Sequence, residues 1–433
     1  MDISHDSQDS PPHEPSPTGP NPASGSAPAS YGGQTMTDVA PSNEDDGVDE
    51  TRMHRDRLAR TRRMLREHQL PAALLFDPLN IRYALTPGPF MVFNMHSTFR
   101  WALVPAESEP VLWEYPHAMH ITASEWDGDL RPAHGWTFLG SGSNSAEDAA
   151  AFASEIVAEL AKRDLLTERI GTDRLESAGH LALSEAGVRI VDAQPALERA
   201  RAVKTRDELT AIRANVAACD QAIGDMLRIL RPGVTENELW GTIVGNALAT
   251  GSEWCETRLL SSGPRTNPWM QSATARAVRD GELVAFDTDL VGEHGYLTDV
   301  SRTYLCGDHR ASDEQRRLYQ TAYEFLQTCI PEFRPGVSFE DLGHRLGPLF
   351  PPEFQPQRYP YIAHGTGLVD EYPVVNFTRH HEGELEAGMV LSVESYVGSV
   401  GGHEGVKLEE QLVVGHDGPE LLSTAPFDQR LLA

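Results

Sequence analysis

The nonapeptide RPGVTENEL at 231–239 returns as RPGVSFEDL at 334–342, with the first four residues and the last unchanged. Each copy follows a long stretch of helical periodicity, DELTAIRANVAACDQAIGDMLRIL before the first and DEQRRLYQTAYEFLQTCIPEF before the second. Pro-Gly ends one helix in each case. Thr235 with Glu238, and Ser338 with Asp341, then open the next through a capping box. Strand-like segments follow both copies. A chain that repeats helix, turn, helix and strands is committed to a pseudo-twofold α+β domain, here 196–433. A site shared by the two halves falls in the cleft between them.

The residues before the repeat have a different character. Residues 1–50 hold eight prolines, ten acids, one aromatic and no Lys or Arg. Such a segment cannot bury enough apolar surface to offset its ordering entropy, so a disordered acidic tail is expected there. A basic amphipathic helix is expected over Arg52–Gln69. PAALLFDP, NIRYAL, FRWALVP and EPVLWEYP are expected strands, with helices over Ala146–Lys162 and Leu181–Ala186. This alternation predicts a smaller α/β domain over 51–195.

Thirty-six Lys and Arg against 64 Asp and Glu leave a formal charge of −28, which repels nucleic acid and anionic membranes. No run approaches the ~18 apolar residues of a membrane helix, and the N-terminus lacks the basic and apolar regions of a signal peptide. A cytoplasmic protein is expected, with its four scattered cysteines as reduced thiols.

Within FDTDLVGEHGYLTDVSRTY (286–304) stand Asp287, Asp289 and Asp299. ELVAFDTDL is expected to be one strand, which puts Asp287 and Asp289 on the same face. GYLTDVSRTY returns as its antiparallel partner and brings in Asp299. Three carboxylates in an apolar hairpin repel one another and are costly to desolvate without a counter-charge. A divalent metal supplies that charge. Further ligands are expected at His364 in the Gly-rich turn HGTG, at Glu394 in GMVLSVESYVG, and at Glu409 or Glu410 in GVKLEEQLVV. Oxygen-rich ligation with one histidine suits Mn, Fe, Co or Zn.

In this order the segments GYLTDVSRT, HGTG, LEAGMVLSVE and GVKLEE resemble the metal-ligand motifs of the pita-bread superfamily of methionine aminopeptidases, prolidases and creatinases. NIRY at 80–83 resembles its N-terminal domain, and the likeness spans about residues 51–430. Departures from the peptidase pattern are specific. The position of the first peptidase aspartate is Thr288, with acids on either side. Trp269 and Asp370 occupy positions where the peptidases carry substrate-side histidines.

ETRLLSSGPRTNPW, FDTDLVGxxGYxxDxSRT and the aspartate after HGTG resemble one branch, the metal-dependent dimethylsulfoniopropionate (DMSP) lyases. That resemblance implies a homodimeric carbon–sulfur lyase releasing dimethyl sulfide and acrylate. It implies two divalent metal ions, iron foremost, held by Asp287, Asp289, Asp299, His364, Glu394 and Glu409. It also implies acid–base roles for Asp370 and Tyr359. The sulfonium calls for aromatic faces, for which Trp269 and Tyr361 are available beside Tyr359. The alternative is a dinuclear metallohydrolase acting on an Xaa-Pro peptide or a small amide.

Overall fold

The computed structural model describes residues 47–85, 93–96, 98–379 and 381–433. Nearly all of the expected acidic tail, much of the segment 87–101 and His380 lie outside the described residues.

The first half is built on one six-stranded sheet. Its strands are β1 (Ala72–Leu75), β2 (Trp101–Pro105), β3 (Val111–Glu114), β4 (Asp129–Pro132), β5 (Arg169–Thr172) and β6 (Arg189–Asp192), in the order β4-β3-β2-β1-β5-β6. β1 is buried on both faces. Ala73 and Leu75 pack with Met53 and Leu65 of the helix Glu50–Glu67, while Ala72 and Leu74 pack with Phe152 and Ile156 of the helix Ser145–Ala161. Period-two alternation thus feeds two cores, one under each helix layer.

NIRYAL departs from expectation: it is helical, over Pro78–Ala84. Asp77 caps that helix by accepting from Leu79 N at 2.9 Å, and Pro78 occupies its first turn. Both features favour a helix start, and they outweigh the β-branched and aromatic content of the segment.

The repeat governs the second half. Helices Arg206–Ile229 and Glu236–Ala249 flank the first Pro-Gly turn; Asp313–Cys329 and Phe339–Leu346 flank the second. Gly233 and Gly336 both take left-handed backbone, with φ of 91° and 81°. Gly233 N donates to Val278 O (2.8 Å) and Gly336 N to Leu385 O (2.7 Å). Thr235 then bridges Ala277, as Ser338 bridges Glu384. The two copies therefore share backbone hydrogen bonding as well as sequence.

The caps are not equal. Thr235 forms a full box, since Glu238 N donates to its Oγ1 (3.2 Å) and its own N donates to Glu238 Oε2 (2.8 Å). At Ser338 only the first bond forms, from Asp341 N to Ser338 Oγ (3.0 Å). The Asp341 side chain is one methylene shorter than a glutamate and makes no return bond.

After the first copy come β7 (Trp254–Cys255), β8 (Leu260–Ser262), β9 (Leu283–Asp287), β10 (Leu290–Val291), β11 (Leu297–Thr298) and β12 (Ser301–Leu305). They form two three-stranded sheets, β11-β10-β7 and β12-β9-β8. After the second copy come β13 (Tyr361–Thr366), β14 (Asp370–Asn376), β15 (Val390–Gly398), β16 (Gly405–Gly415) and β17 (Gly418–Leu421), in one sheet ordered β14-β13-β15-β16-β17. β12 lies against β16, where Thr303 Oγ1 donates to Lys407 O at 2.8 Å and accepts from Lys407 N at 3.1 Å. No described helix is long and apolar enough to cross a membrane. All four cysteines are free thiols, three of them buried.

Unequal caps have unequal costs. Thr235→Ala should destabilise by about 1–2 kcal/mol and Ser338→Ala by about 1 kcal/mol or less. Thermal melting of the two variants checks this, and the reverse order would contradict the assignment.

Candidate metal centre

The hairpin that carries the three aspartates is broken where they meet. β9 ends at Asp287, and Asp289 takes a left-handed φ of 40° before β10 begins. On the return strand, Asp299 sits between β11 and β12. Ser301 pairs with Asp287 and Thr298 with Leu290, so both breaks face each other. A continuous strand does not form, because Asp287, Asp289 and Asp299 converge through these breaks instead of by alternation alone. One ligand atom from each lies within 4.8 Å of the others.

Left-handed backbone at a residue with a side chain costs about 1–2 kcal/mol. Two contacts hold Asp289 there. Glu256 N donates to its carbonyl at 2.9 Å, and the Thr257 hydroxyl donates to its carboxylate. Thr257 belongs to the ETRL segment but carried no assignment from sequence. Its signal would have been a hydroxyl in the short segment between β7 and β8, beside the aspartates.

The other half of the centre comes from the five-stranded sheet. His364 lies inside β13, not in a turn as expected, with a register shift between it and Gly365. Its Nε2 faces Asp299 Oδ2 at 3.2 Å, Glu394 Oε1 at 3.6 Å and Glu409 Oε1 at 3.7 Å. Glu394 on β15 is directly opposite Glu409 on β16. Alternation resolves the choice between the two glutamates of β16: Glu409 faces the cluster, while Glu410 points to the opposite face and pairs with Arg302 Nη2 at 2.7 Å.

Period two also selects Lys407, which sequence reasoning passed over. It is 0 % exposed, and its ammonium lies 2.8 Å from Glu394 Oε2, 2.8 Å from Glu409 Oε2 and 3.5 Å from Asp287 Oδ2. Ser301 Oγ donates to Glu409 Oε2 at 2.7 Å and accepts from Lys407 at 3.0 Å.

Two groups of ligand atoms thus share one residue: Asp287, Asp289 and Asp299 on one side, and Asp299, His364 and Glu409 on the other. The electrostatics are severe. Two like charges 4 Å apart repel by about 4 kcal/mol even at an effective dielectric of about 20. Burial raises Asp287 to about 6 despite Lys407, and raises Glu394 to about 8. Burial and the neighbouring carboxylates push Asp289 and Asp299 up as well. Burial would also raise Glu409, but Lys407 and His364 hold it below the usual carboxylate range.

Five carboxylates and one lysine leave a formal charge of −4, more than one ammonium group can neutralise. Among the described residues, Asp287 Oδ1 and Glu394 Oε1 are buried and have no hydrogen-bond partner. Orphaned buried acceptors among anions are what a cation site presents. The donor set, five carboxylates and one imidazole, fits hard or borderline divalent ions.

The remaining predicted residues lie around His364 and Lys407. Asp370 starts β14, is 55 % exposed, and has Oδ1 3.5 Å from His364 Nδ1. Trp269 is only 7 % exposed and packs with Ala285 and Tyr396; its Nε1 donates to Tyr359 Oη at 2.8 Å. The Lys407 ammonium sits 4.8 Å above the Tyr359 ring. The Tyr361 ring stands edge-on to Tyr359 and to His364, at 5.7 and 5.4 Å. Arg302 pairs with Glu410, outside the cluster.

Residues 57–203 match the creatinase/prolidase N-terminal domain, and 210–416 match metallopeptidase family M24. The dimethylsulfoniopropionate lyase DddP of Roseovarius nubinhibens is 34% identical over 392 residues, 88% of each chain. DddP of Roseobacter denitrificans is 35% identical over 372 residues, 83% of each chain. Among solved structures, the Xaa-Pro dipeptidase of Bacillus anthracis superposes with a TM-score of 0.71 at 18% identity, covering 87% of this chain and 99% of that one. The prolidase of Pyrococcus horikoshii gives 0.70 at 16%, covering 86% and 99%. These last two establish the pita-bread fold alone.

The raised carboxylates set a sign for pH dependence without metal. Their folded values lie above the ordinary ~4 of an unfolded carboxylate, so the folded state holds the extra protons. Stability from these groups is present below about pH 4 and is lost as pH rises through about 6 and 8 for Asp287 and Glu394. Chelator-stripped protein should therefore melt at progressively lower temperature between about pH 5 and 8, and added divalent metal should flatten that slope. Equal slopes with and without metal would contradict the charge assignment.

Proposed function

The chain belongs to the family of the dimethylsulfoniopropionate lyases, and from that membership we propose how its residues divide the work of cleaving dimethylsulfoniopropionate to dimethyl sulfide and acrylate. One observation carries the reading: two lyases match most of this chain at 34–35% identity, and the buried acidic cluster lies within that fold. Asp287, Asp289, Asp299, His364, Glu394 and Glu409 would hold two divalent ions, with Asp299 shared. Two such ions balance the formal −4 of the cluster with Lys407 included. When bound, they supply Lewis-acid stabilisation of the substrate carboxylate as negative charge develops on it.

Asp370 removes the proton alpha to that carboxylate. The C–H electron pair becomes the new double bond, the C–S bond breaks, and dimethyl sulfide leaves with the sulfur electrons. Burial raises the Asp370 carboxyl above its ordinary value, an effect offset in part by His364. A raised carboxyl is a stronger base. Tyr359 keeps its proton, since burial raises its hydroxyl far above the usual range in spite of Lys407. It serves as a hydrogen-bond donor, not as the base.

The aromatic residues differ in what they can offer the sulfonium. Trp269 is spent on packing and on orienting Tyr359. Lys407 occupies one face of Tyr359. A second cation on the other face, roughly 9 Å away, would be repelled by about 2 kcal/mol at an effective dielectric of about 20. That equals what a cation–π contact gains. Among the described residues no cation stacks on the Tyr361 ring, which has Glu394 and Asp370 nearby as well as His364 and Lys407, so it is the ring for the sulfonium.

The same reading takes iron as the metal, a homodimer as the assembly and the cytoplasm as the location, each on the family likeness. It also divides the chain at 195/196, a division that the confinement of β1–β6 to residues 72–192 supports.

Gas-chromatographic detection of dimethyl sulfide from metal-loaded protein is the test. Wild type should release it, and Asp370→Ala should lower kcat by about 10²–10⁴-fold. The acid limb of the wild-type pH profile should lie above the ordinary carboxylate value. Hydrolysis of an Xaa-Pro dipeptide without dimethyl sulfide release would replace this reading with that of a metallohydrolase.

A further inference from the structure

Asp370 has little of its own to hold it. Among the described residues its carboxylate has one close polar neighbour, His364 Nδ1 at 3.5 Å, and it is 55 % exposed. The next residue is its opposite. Glu371 is 0 % exposed, with Oε2 accepting from Arg201 Nε and Oε1 from Lys204 Nζ, both at 2.8 Å. Arg201 also donates to Glu198 Oε1 at 2.6 Å and to the Asn80 side chain. Glu198 Oε2 in turn accepts from Tyr372 N at 3.0 Å. Side chain and backbone of β14 are therefore gripped immediately after Asp370, by residues of the segment 198–204 that joins the two halves of the chain.

The glycines of HGTG serve this grip. A Cβ on Gly367 would fall 2.1 Å from Glu371 Oε1, and one on Gly365 would fall 2.6 Å from Tyr372 O. Any side chain at either place would displace the start of β14 from β13, and with it the spacing of Asp370 and His364. Stability alone is a poor reason for such a network. Buried ion pairs are commonly no more stable than apolar replacements of similar volume. What the network provides is direction: with each oxygen bound by a different cation, the Glu371 carboxylate cannot rotate.

We infer that Glu198, Arg201, Lys204 and Glu371 are positioning residues that fix Asp370 beside His364; this rests on Asp370 being the base. The test compares metal-loaded wild type with Lys204→Met/Glu371→Gln, which removes one charge of each sign and leaves Arg201 with Glu198. Glu371→Asp, which keeps the charge but withdraws the carboxylate, serves if the double variant does not fold. Metal content should match wild type, and KM for dimethylsulfoniopropionate should stay within about 3-fold. kcat should fall about 10- to 100-fold, the scale of a misplacement near 1 Å. An active wild type with variants of equal kcat would overturn the positioning inference. A wild type that releases no dimethyl sulfide would overturn the base assignment instead.

Discussion

Everything in the second half of this chain depends on keeping five buried carboxylates within reach of one another. Left alone they would separate or take up protons. Lys407, held between Glu394, Glu409 and Asp287, neutralises one of them from inside the protein. The remaining charge is what makes the cluster a cation site and not a structural salt bridge. It also explains why the carboxylates come from three different strands and the breaks beside them: no one element could hold this many like charges without help from its neighbours.

The pseudo-twofold repeat provides those neighbours. Each copy contributes a sheet edge, and the two meet where β12 faces β16 through Thr303 and Lys407. Left-handed glycines at 233 and 336 turn both copies the same way. The N-terminal half adds support from outside. Arg82 lies against Gly295, at the tip of the aspartate hairpin, where a Cβ would come within 2.5 Å of its Nη1. From the second half itself, Asn215, on the helix Arg206–Ile229, donates to Glu293 O at 3.0 Å on the same tip. The hairpin is thus clamped at the tip while its base carries the charges.

Much of this was legible in the sequence, because the repeat and the helical periodicities are local signals. The convergence of Asp287, Asp289 and Asp299 was legible for a second reason: unpaired acids in an apolar run need a partner. The failures were also physical. The composition of NIRYAL favours a strand, but the Asp77–Pro78 start makes it a helix. The broken strand at Asp289 is invisible to alternation, since a left-handed residue is set by Thr257 and Glu256, some thirty positions upstream. The two glycines around His364 suggest a turn, but Gly365 gives room to the backbone of β14 and Gly367 to the side chain of Glu371. Lys407 was the most accessible omission, for it stands two residues before Glu409 on the same face of one strand. The Arg201–Lys204–Glu371 contacts span about 170 positions, and no sequence pattern reports contacts at that separation.

The most direct test of the account is to count and locate the metal. Elemental analysis of purified protein should find two divalent ions per chain, and anomalous diffraction should put one among Asp287, Asp289 and Asp299 and the other among Asp299, His364, Glu394 and Glu409. Fully occupied protein with a single ion, or with ions away from these residues, would contradict it.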